Sequence, residues 1–530
     1  MKLKQFFVVA LLVSSSSVMA QYGWQQGEKA ADLDLKRGLG YEVEMQGSYS
    51  KDNTPLWLNA NKFGLSSLKG KNGYVRGKLI RPLSTDSLRR WGVGYGLDVA
   101  VPVNYTSNVV IQQAFVEGRW LHGTLSIGSK EYPMELKNNL LSSGSQTLGI
   151  NARPVPQVRL ALPEYWTVPA LGRWFHLKGH IAYGKYTDDG WQEEFTQKRQ
   201  KYTNGALYHS KAGYLKIGSE ERFNPLSLEM GLEMACQFGG TTYYERDANG
   251  DLIGHKAGSG LKDMWHAFLP GGQDASDGAY GNIEGNQLGS WVFRVNYETE
   301  GWTAHIYGDH FFEDHSAMLF FDYDGYDSGE NYNVKKDFRF FRYKLKDMLL
   351  GAELNLVTGR WIKDLVFEYI YTKYQSGPFN HDHTMNIPDH QAGVDEYYNH
   401  GNYTGWQHWG QVMGNPLYLS PIYNEDGTIE VKNNRFMAFH LGVDGNILEN
   451  LDYRLLASWQ DGVGTYIKPY TSRRYNTSFL VEANYHFTQP KLRGWSIRGA
   501  YAMDFGKIRG NNTGFQLTIT KTGILTQRPK

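Results

Sequence analysis

Residues 226–240 read LSLEMGLEMACQFGG. Leu226, Leu228, Met230, Leu232, Met234, Cys236 and Phe238 share one parity, and Ser227, Glu229, Gly231, Glu233, Ala235 and Gln237 share the other. Successive side chains of an extended chain point to opposite sides, so this alternation describes a strand with one apolar and one polar face. Two glutamates on the polar side exclude a strand buried on both faces. Such a strand separates a greasy environment from a wet one.

The pattern returns along the chain. Tyr41, Val43, Met45, Gly47 and Tyr49 alternate with Glu42, Glu44, Gln46 and Ser48. Trp91 to Val101, Phe175 to Tyr183, Trp291 to Tyr297, Leu350 to Leu356, Met437 to Val443, Tyr453 to Trp459, Phe479 to Phe487, Trp495 to Met503 and Phe515 to Ile519 do the same. We count about eighteen segments of the length a membrane-crossing strand needs. Those near 54–64, 73–82 and 109–131 are less regular.

Composition narrows the class. Lys+Arg (55) and Asp+Glu (54) nearly cancel in 530 residues, which argues against a nucleic-acid partner. Mean hydropathy is −0.51, and the one long apolar run is N-terminal, so a bundle of membrane helices is excluded. That run, MKLKQFFVVALLVSSSSVMAQ, has Lys2 and Lys4, an apolar stretch from Phe6 to Val13, and small residues up to Ala20. It reads as a signal peptide, 1–20, cleaved near Ala20 and leaving 21–530 as one barrel domain. Cys236 is the only cysteine, which excludes an internal disulfide.

The connections carry a second signal. From the seventh strand on, long ones (roughly 185–205, 239–288, 312–346, 374–432 and 461–474) alternate with short ones such as TEG, TGRW and NILEN. Short turns on one side and long loops on the other are how outer-membrane barrels are built. Trp302, Trp361 and Trp495 each follow a short turn, where a membrane-boundary belt is expected, and Trp291 and Trp459 sit near strand ends. Residues 132–172 break the rhythm. They are rich in Pro, Gly and Asn with one weakly helical piece near 135–141, and read as a lumen plug or a periplasmic excursion.

Several stretches resemble the capsule assembly protein Wzi family, in the form common among Bacteroides-like bacteria. They include PLWLNANKFG (55–64), SSGSQTLGINARPVPQV (142–158), GDHFFEDHSA (308–317), YYNHGNYTGWQHWGQVMGNPL (397–417) and AMDFGKIRGNN (502–512). The resemblance implies an eighteen-stranded all-β outer-membrane barrel, a lumen occluded by loops, and a non-enzymatic role in binding surface polysaccharide. This chain lacks the helical segment that better-known members carry after the signal peptide, and it ends in QRPK without a terminal aromatic.

Three clusters bear on chemistry. Asp309, His310, Glu313, Asp314 and His315 offer carboxylates and imidazoles for acid–base work, or form a solvated rim. His381, His383 and His390 with Asp382 and Asp389 suit a metal, but read more simply as a polar loop. The stretch holding Tyr397, Tyr398, Asn399, Asn402, Tyr403, Trp406, Gln407, His408 and Trp409 pairs flat rings with planar amides. Rings can pack the C–H face of a sugar and amides can satisfy its hydroxyls, so these residues are the candidate polysaccharide site. The competing reading is that they pack a lid. Inward charges of mixed sign, among them Lys178, Glu229, Glu233, Arg294, Glu353 and Glu368, suit a self-satisfying interior better than an ion-selective ring. The reading is therefore an outer-membrane lectin-like barrel, monomeric, without catalytic residues, metal or cofactor, whose partners are capsular polysaccharide and outer-membrane lipid. A porin-like channel and an outer-membrane hydrolase are the alternatives.

Overall fold

A computed structural model describes residues 34–525 apart from 220–223, 270–284, 314–320, 324–326, 335–337, 341–344, 380, 382–383 and 388–392. The expected signal peptide and the QRPK end lie outside these residues. The wall strands are β1 (Gly40–Lys51), β2 (Lys71–Arg81), β3 (Trp91–Val103), β4 (Val110–Trp120), β5 (Gly123–Ser129) and β6 (Gln157–Thr167). Then come β7 (Phe175–Lys185), β8 (Leu207–Ile217), β9 (Leu226–Phe238), β10 (Asn286–Glu298), β11 (Trp302–Glu313) and β12 (Met348–Leu356). The last six are β13 (Asp364–Tyr371), β14 (Phe436–Leu448), β15 (Leu451–Gly464), β16 (Pro469–His486), β17 (Trp495–Gly506) and β18 (Asn512–Ile524).

Each strand pairs antiparallel with the next, and β1 closes on β18 from Gly40↔Ile524 to Lys51↔Thr513, giving one 18-stranded sheet. Closure leaves no unpaired edge, which hydrocarbon would penalise by several kcal/mol per lost hydrogen bond. No helix among the described residues is long and apolar enough to cross a membrane. The crossing is made by strands.

The outward parity carries the apolar side chains. Met45, Leu97, Val101, Ile111, Val116, Leu160, Ile306 and Val481 are each 53% to 61% exposed. An apolar band of this extent is a lipid-facing surface. At the short-turn end it is bounded by Trp91, Trp120, Trp302, Trp361 and Trp495, all exposed. Nearer the loop end, Phe367, Phe439, Trp459 and Tyr475 stack in sequence across four strands at 5.9–6.1 Å. The inward parity is polar and paired: Arg76 with Asp98 (2.5 Å), Arg294 with Glu353 (3.4 Å), Arg454 with Glu482 (3.2 Å). Glu229 of the opening stretch accepts from Tyr165 (2.6 Å) and Asn296 (2.8 Å), and Glu233 accepts from Tyr214 (2.8 Å).

Several expectations change. Only the lower part of the 226–238 apolar row faces lipid. Cys236 and Phe238 are buried under the helix Leu261–Phe268, which lies against the outer wall through Ala267 and Met264. Near 54–64 there is no strand. Pro55 starts a short helix, Leu56–Asn59, whose residues are all buried. The stretch 132–172 divides. Residues 157–167 are β6, residues 168–174 are its short turn, and residues 130–156 enter the lumen from the long-loop end. The piece near 135–141 is not helical, because Leu136 has φ 57° and the Asn138 side chain takes the Leu140 and Leu141 N–H groups. Between β15 and β16 the connection is 465–468, shorter than the expected 461–474.

Candidate functional site

Three segments from the long-loop end fill the lumen: 52–70, 130–156 and 393–435. Each is tied to the wall. Leu56 N donates to Asp504 (3.0 Å). Lys137 Nζ and Gln146 N both donate to Asp309 Oδ2 (2.9 Å each). Glu368, fully buried, accepts from Ser142 Oγ (2.6 Å), Ser143 N (2.8 Å) and the Tyr307 hydroxyl (2.6 Å). Thr147 and Ser290 hydroxyls meet at 2.7 Å. The segments also bind one another: Phe63 N to Ile150 O (2.7 Å), Gly149 N to Met413 O (3.1 Å) and Asn151 Nδ2 to Val412 O (2.9 Å). At Gly149 an added Cβ would meet Met413 O at 2.7 Å, so only glycine lets the two segments approach this closely.

The nine candidate sugar-binding residues separate into two groups. Tyr397, Tyr398 and Trp406 are 0%, 0% and 1% exposed. Tyr397 packs edge-on against Phe311 (4.7 Å) and donates to Asp347 (2.9 Å). The Tyr398 ring lies 4.1 Å from Tyr418, and its hydroxyl donates to the Gln146 carbonyl. Trp406 stacks on Tyr208 (6.0 Å) and donates to Thr147 O (2.9 Å). These rings have no free face, and they are the packing of the plug. Asn399 joins Val431 through both polar atoms (2.8 and 3.0 Å). Asn402 is exposed.

Tyr403, Gln407, His408 and Trp409 line one crevice with Tyr186, Asp188, Gln192 and Thr203 from the 186–206 connection. It lies at the long-loop end and is narrow, with about 10 Å³ of free volume. A tight hairpin builds it: Gln407 pairs with Val412 and His408 with Gln411. The two turn residues between them, Trp409 and Gly410, have φ 55° and 77°. Two positive φ angles are the type I′ requirement, usually met by Asn-Gly. A tryptophan in that conformation costs of order 1–3 kcal/mol, a strain that tends to be kept where a side chain must be presented.

Trp409 is half-buried, with the Arg153 guanidinium over its ring at 4.1 Å. Arg153 is itself fixed by Ser107 (2.9 Å) and Thr106 (2.8 Å), and burial lowers its pKa to about 10. His408 sits between two carbonyls, with Nδ1 2.8 Å from Arg153 O and Nε2 2.7 Å from Thr187 O. Burial holds the ring neutral, with a pKa down to about 4. Asp188 Oδ1 accepts from Gly190 N (3.3 Å), whereas its buried Oδ2 has no hydrogen-bond partner among the described residues. Burial raises the Asp188 pKa. Both amides are held within the protein, Gln192 Oε1 by Thr203 N (3.1 Å) and Gln407 Oε1 by Gly410 N (2.9 Å), which leaves the Trp409 indole and the Asp188 carboxylate as the groups able to meet a sugar ring and a hydroxyl. Asp188, Gln192 and Arg153 are not legible in the sequence, because each is a lone polar residue brought in by a distant loop.

Among the described residues the acid–base cluster does not assemble. Asp309 faces the lumen, while His310, next in the strand, faces outward and contacts Asp347 O (2.6 Å). Glu313 accepts from the Tyr398 N–H (2.5 Å). Asp314 and His315 lie outside the described residues, as do Asp382, His383, Asp389 and His390 of the proposed metal loop.

The wall, the apolar belt and the loop asymmetry agree with solved structures. The chain is similar to Wzi of Escherichia coli, described as an outer-membrane protein involved in group 1 capsule assembly and a carbohydrate-binding β-barrel. The TM-score is 0.52 at 12% identity, covering 90% of this chain and 83% of that one. The fold is that of an outer-membrane β-barrel. OprD of Pseudomonas aeruginosa also matches, with TM-score 0.43, 9% identity, and coverage of 92% and 96%. No family model and no curated protein matches the sequence.

Proposed function

We propose that this chain is a polysaccharide-binding outer-membrane barrel that holds capsular or other surface polysaccharide on its loop face without cleaving it. The carrying observation is the closed lumen with a polar, tryptophan-tipped crevice above it. Lys137, Gln146, Ser142 and Ser143 tie 130–156 to Asp309 and Glu368 on the wall, so the interior is a packed plug and the outer surface is the working face. The neighbouring Wzi fold is described as carbohydrate-binding, which supports the same reading here. In it, Trp409 stacks on a sugar ring, and Asp188 takes a hydroxyl.

The test is binding of purified full-length protein to extracted surface polysaccharide. Trp409→Ala and Asp188→Asn should each weaken capture about tenfold, the scale of an interface anchor. Unaltered binding in both variants removes this crevice. Steady ion conductance by the wild-type protein in a planar bilayer, with no polysaccharide capture, supports a channel instead. Release of new reducing ends supports a hydrolase.

A further inference from the structure

The outer wall has a gap near the loop end of β18, β1, β2 and β3. Leu517, Gly47, Gly73 and Val103 form one outward row across these strands. Two neighbouring strands thus present glycine at the same height. The result is a shallow hollow of about 500 Å³, floored by Gly47 and Gly73 and walled by Tyr49, Val103, Phe515 and Leu517. Tyr49, Val103, Phe515 and Leu517 are all exposed. The hollow is continuous with the lipid-facing band through Met45, Val75 and Val101 in the row below.

Its rim is basic. Lys71 lies opposite Tyr49, with its ammonium 6.0 Å from the ring centre. The next backbone link joins Ser50 N to Gly70 O, which sets Lys51 and Lys69 at the facing strand ends. All three lysines are exposed, and no ion pair to them is found among the described residues. Asp52 is the one acidic residue between Ser48 and Gly73. β1 and β2 have 12 and 11 residues, about the length that crosses hydrocarbon, so their loop ends sit at the outer headgroup level.

We propose that this hollow binds a phosphorylated, acylated glycolipid of the outer leaflet, with one acyl chain in the glycine slot and a phosphate on Lys51, Lys69 and Lys71. An acyl chain matches the apolar walls, and a phosphate matches a rim of ammonium groups at headgroup height. The inference depends on the membrane placement of the barrel and not on the polysaccharide reading.

Native mass spectrometry of the full-length barrel in detergent, titrated with diphosphoryl lipid A, monophosphoryl lipid A or phosphatidylethanolamine, tests it. The wild type should retain diphosphoryl lipid A best. Each lysine changed to glutamine should weaken retention about fivefold, so the Lys51→Gln/Lys69→Gln/Lys71→Gln protein should lose it by about a hundredfold. Gly47→Leu should weaken both lipid A forms. A Cβ at Gly47 meets nothing within 4 Å, so this variant fills the slot and leaves the wall closed, as checked by its fast migration unheated. Equal retention by wild type and the triple variant overturns the proposal. So does undiminished binding by Gly47→Leu, or cross-linking that finds a second copy of the chain seated over the hollow in the wild type.

Discussion

Glu368 is where the plug is most exposed to a single change. Its carboxylate is fully buried and takes three donors at 2.6–2.8 Å: Ser142 Oγ, Ser143 N and the Tyr307 hydroxyl. Two of them belong to the lumen segment and one to the wall. Hydrogen bonds to a charged acceptor contribute about 1.5–3 kcal/mol each, and stranded buried donors add their own desolvation cost. Taking the lower figure for the two bonds that cross to the lumen segment, Glu368→Ala should shift the seated–unseated balance of the plug by about 3 kcal/mol, roughly a hundredfold. The barrel wall does not depend on these bonds, because β13 keeps its ladders to β12 and β14. The variant should therefore still migrate fast unheated, yet show ion conductance in a planar bilayer where the wild type shows none. Backbone amides of 142–147 should exchange with deuterium much faster. A variant that stays silent, with 142–147 as protected as in the wild type, refutes the view that Glu368 latches the plug.

Two further outcomes follow from the loops and turns. At the short-turn end, Arg81 and Asp86 form a buried two-pronged pair (2.9 and 3.0 Å). Burial alone would raise the Asp86 pKa, but the hydrogen bonds from Arg81 and the Val93 N–H hold it below the usual carboxylate value. This stabilisation is present above the ordinary carboxylate pKa and lost as pH falls below it. Asp86→Ala, which strands Arg81, should cost about 3–5 kcal/mol and lower the temperature at which the fast-migrating form disappears; an unchanged temperature refutes the pair's role. At the loop face, His400 is pushed from 6.5 to about 3 by burial and by nearby Lys201, whose ammonium donates to the His400 carbonyl (2.5 Å). The ring folds neutral and accepts the Asn402 and Tyr403 N–H groups (3.1 and 3.0 Å), so stability is intact above pH 6.5 and declines as pH falls from there toward 3. By pH 5 the loss reaches about 2 kcal/mol, and hydrogen exchange over 399–404 should rise accordingly, an effect that His400→Gln should remove.

How much of this is legible in the sequence depends on how far each feature follows from neighbouring residues. β9 is readable because every second residue of LSLEMGLEMACQF is apolar, and the register with β8 and β10 keeps Glu229 and Glu233 in the lumen. β6 is hidden. Val158 and Leu160 alternate with Arg159 as they should, but Pro154, Pro156 and Pro163 mark the stretch as loop. β4 looks irregular because a bulge places Gln112 and Gln113 both inward, where they reach Phe63 O and Asp98. The count of strands nevertheless agrees, since the expected strand near 54–64 is absent and the unexpected one at 157–167 replaces it. Within 397–409, composition reveals an aromatic cluster but not which rings are spent. Burial is a property of the whole lumen, and it leaves Trp409 as the ring with a partly open face.

An eighteen-stranded wall encloses more space than its own side chains fill, so something must occupy it. Here the filler and the outer face are the same segments. The carbonyl of Arg153 fixes His408, its guanidinium covers Trp409, and the preceding residues Ile150 and Asn151 bind Phe63 and Val412. Trp409 is thus positioned from below. The strain at its positive φ is tolerated because the plug over-determines the hairpin. On the proposed polysaccharide reading, capture and lumen closure therefore depend on one set of contacts, and unseating 130–156 must loosen the crevice. The Glu368→Ala protein should lose polysaccharide capture in the same titration that shows its conductance. A variant that conducts freely and still captures polysaccharide as the wild type does would mean that the crevice is built independently of the plug.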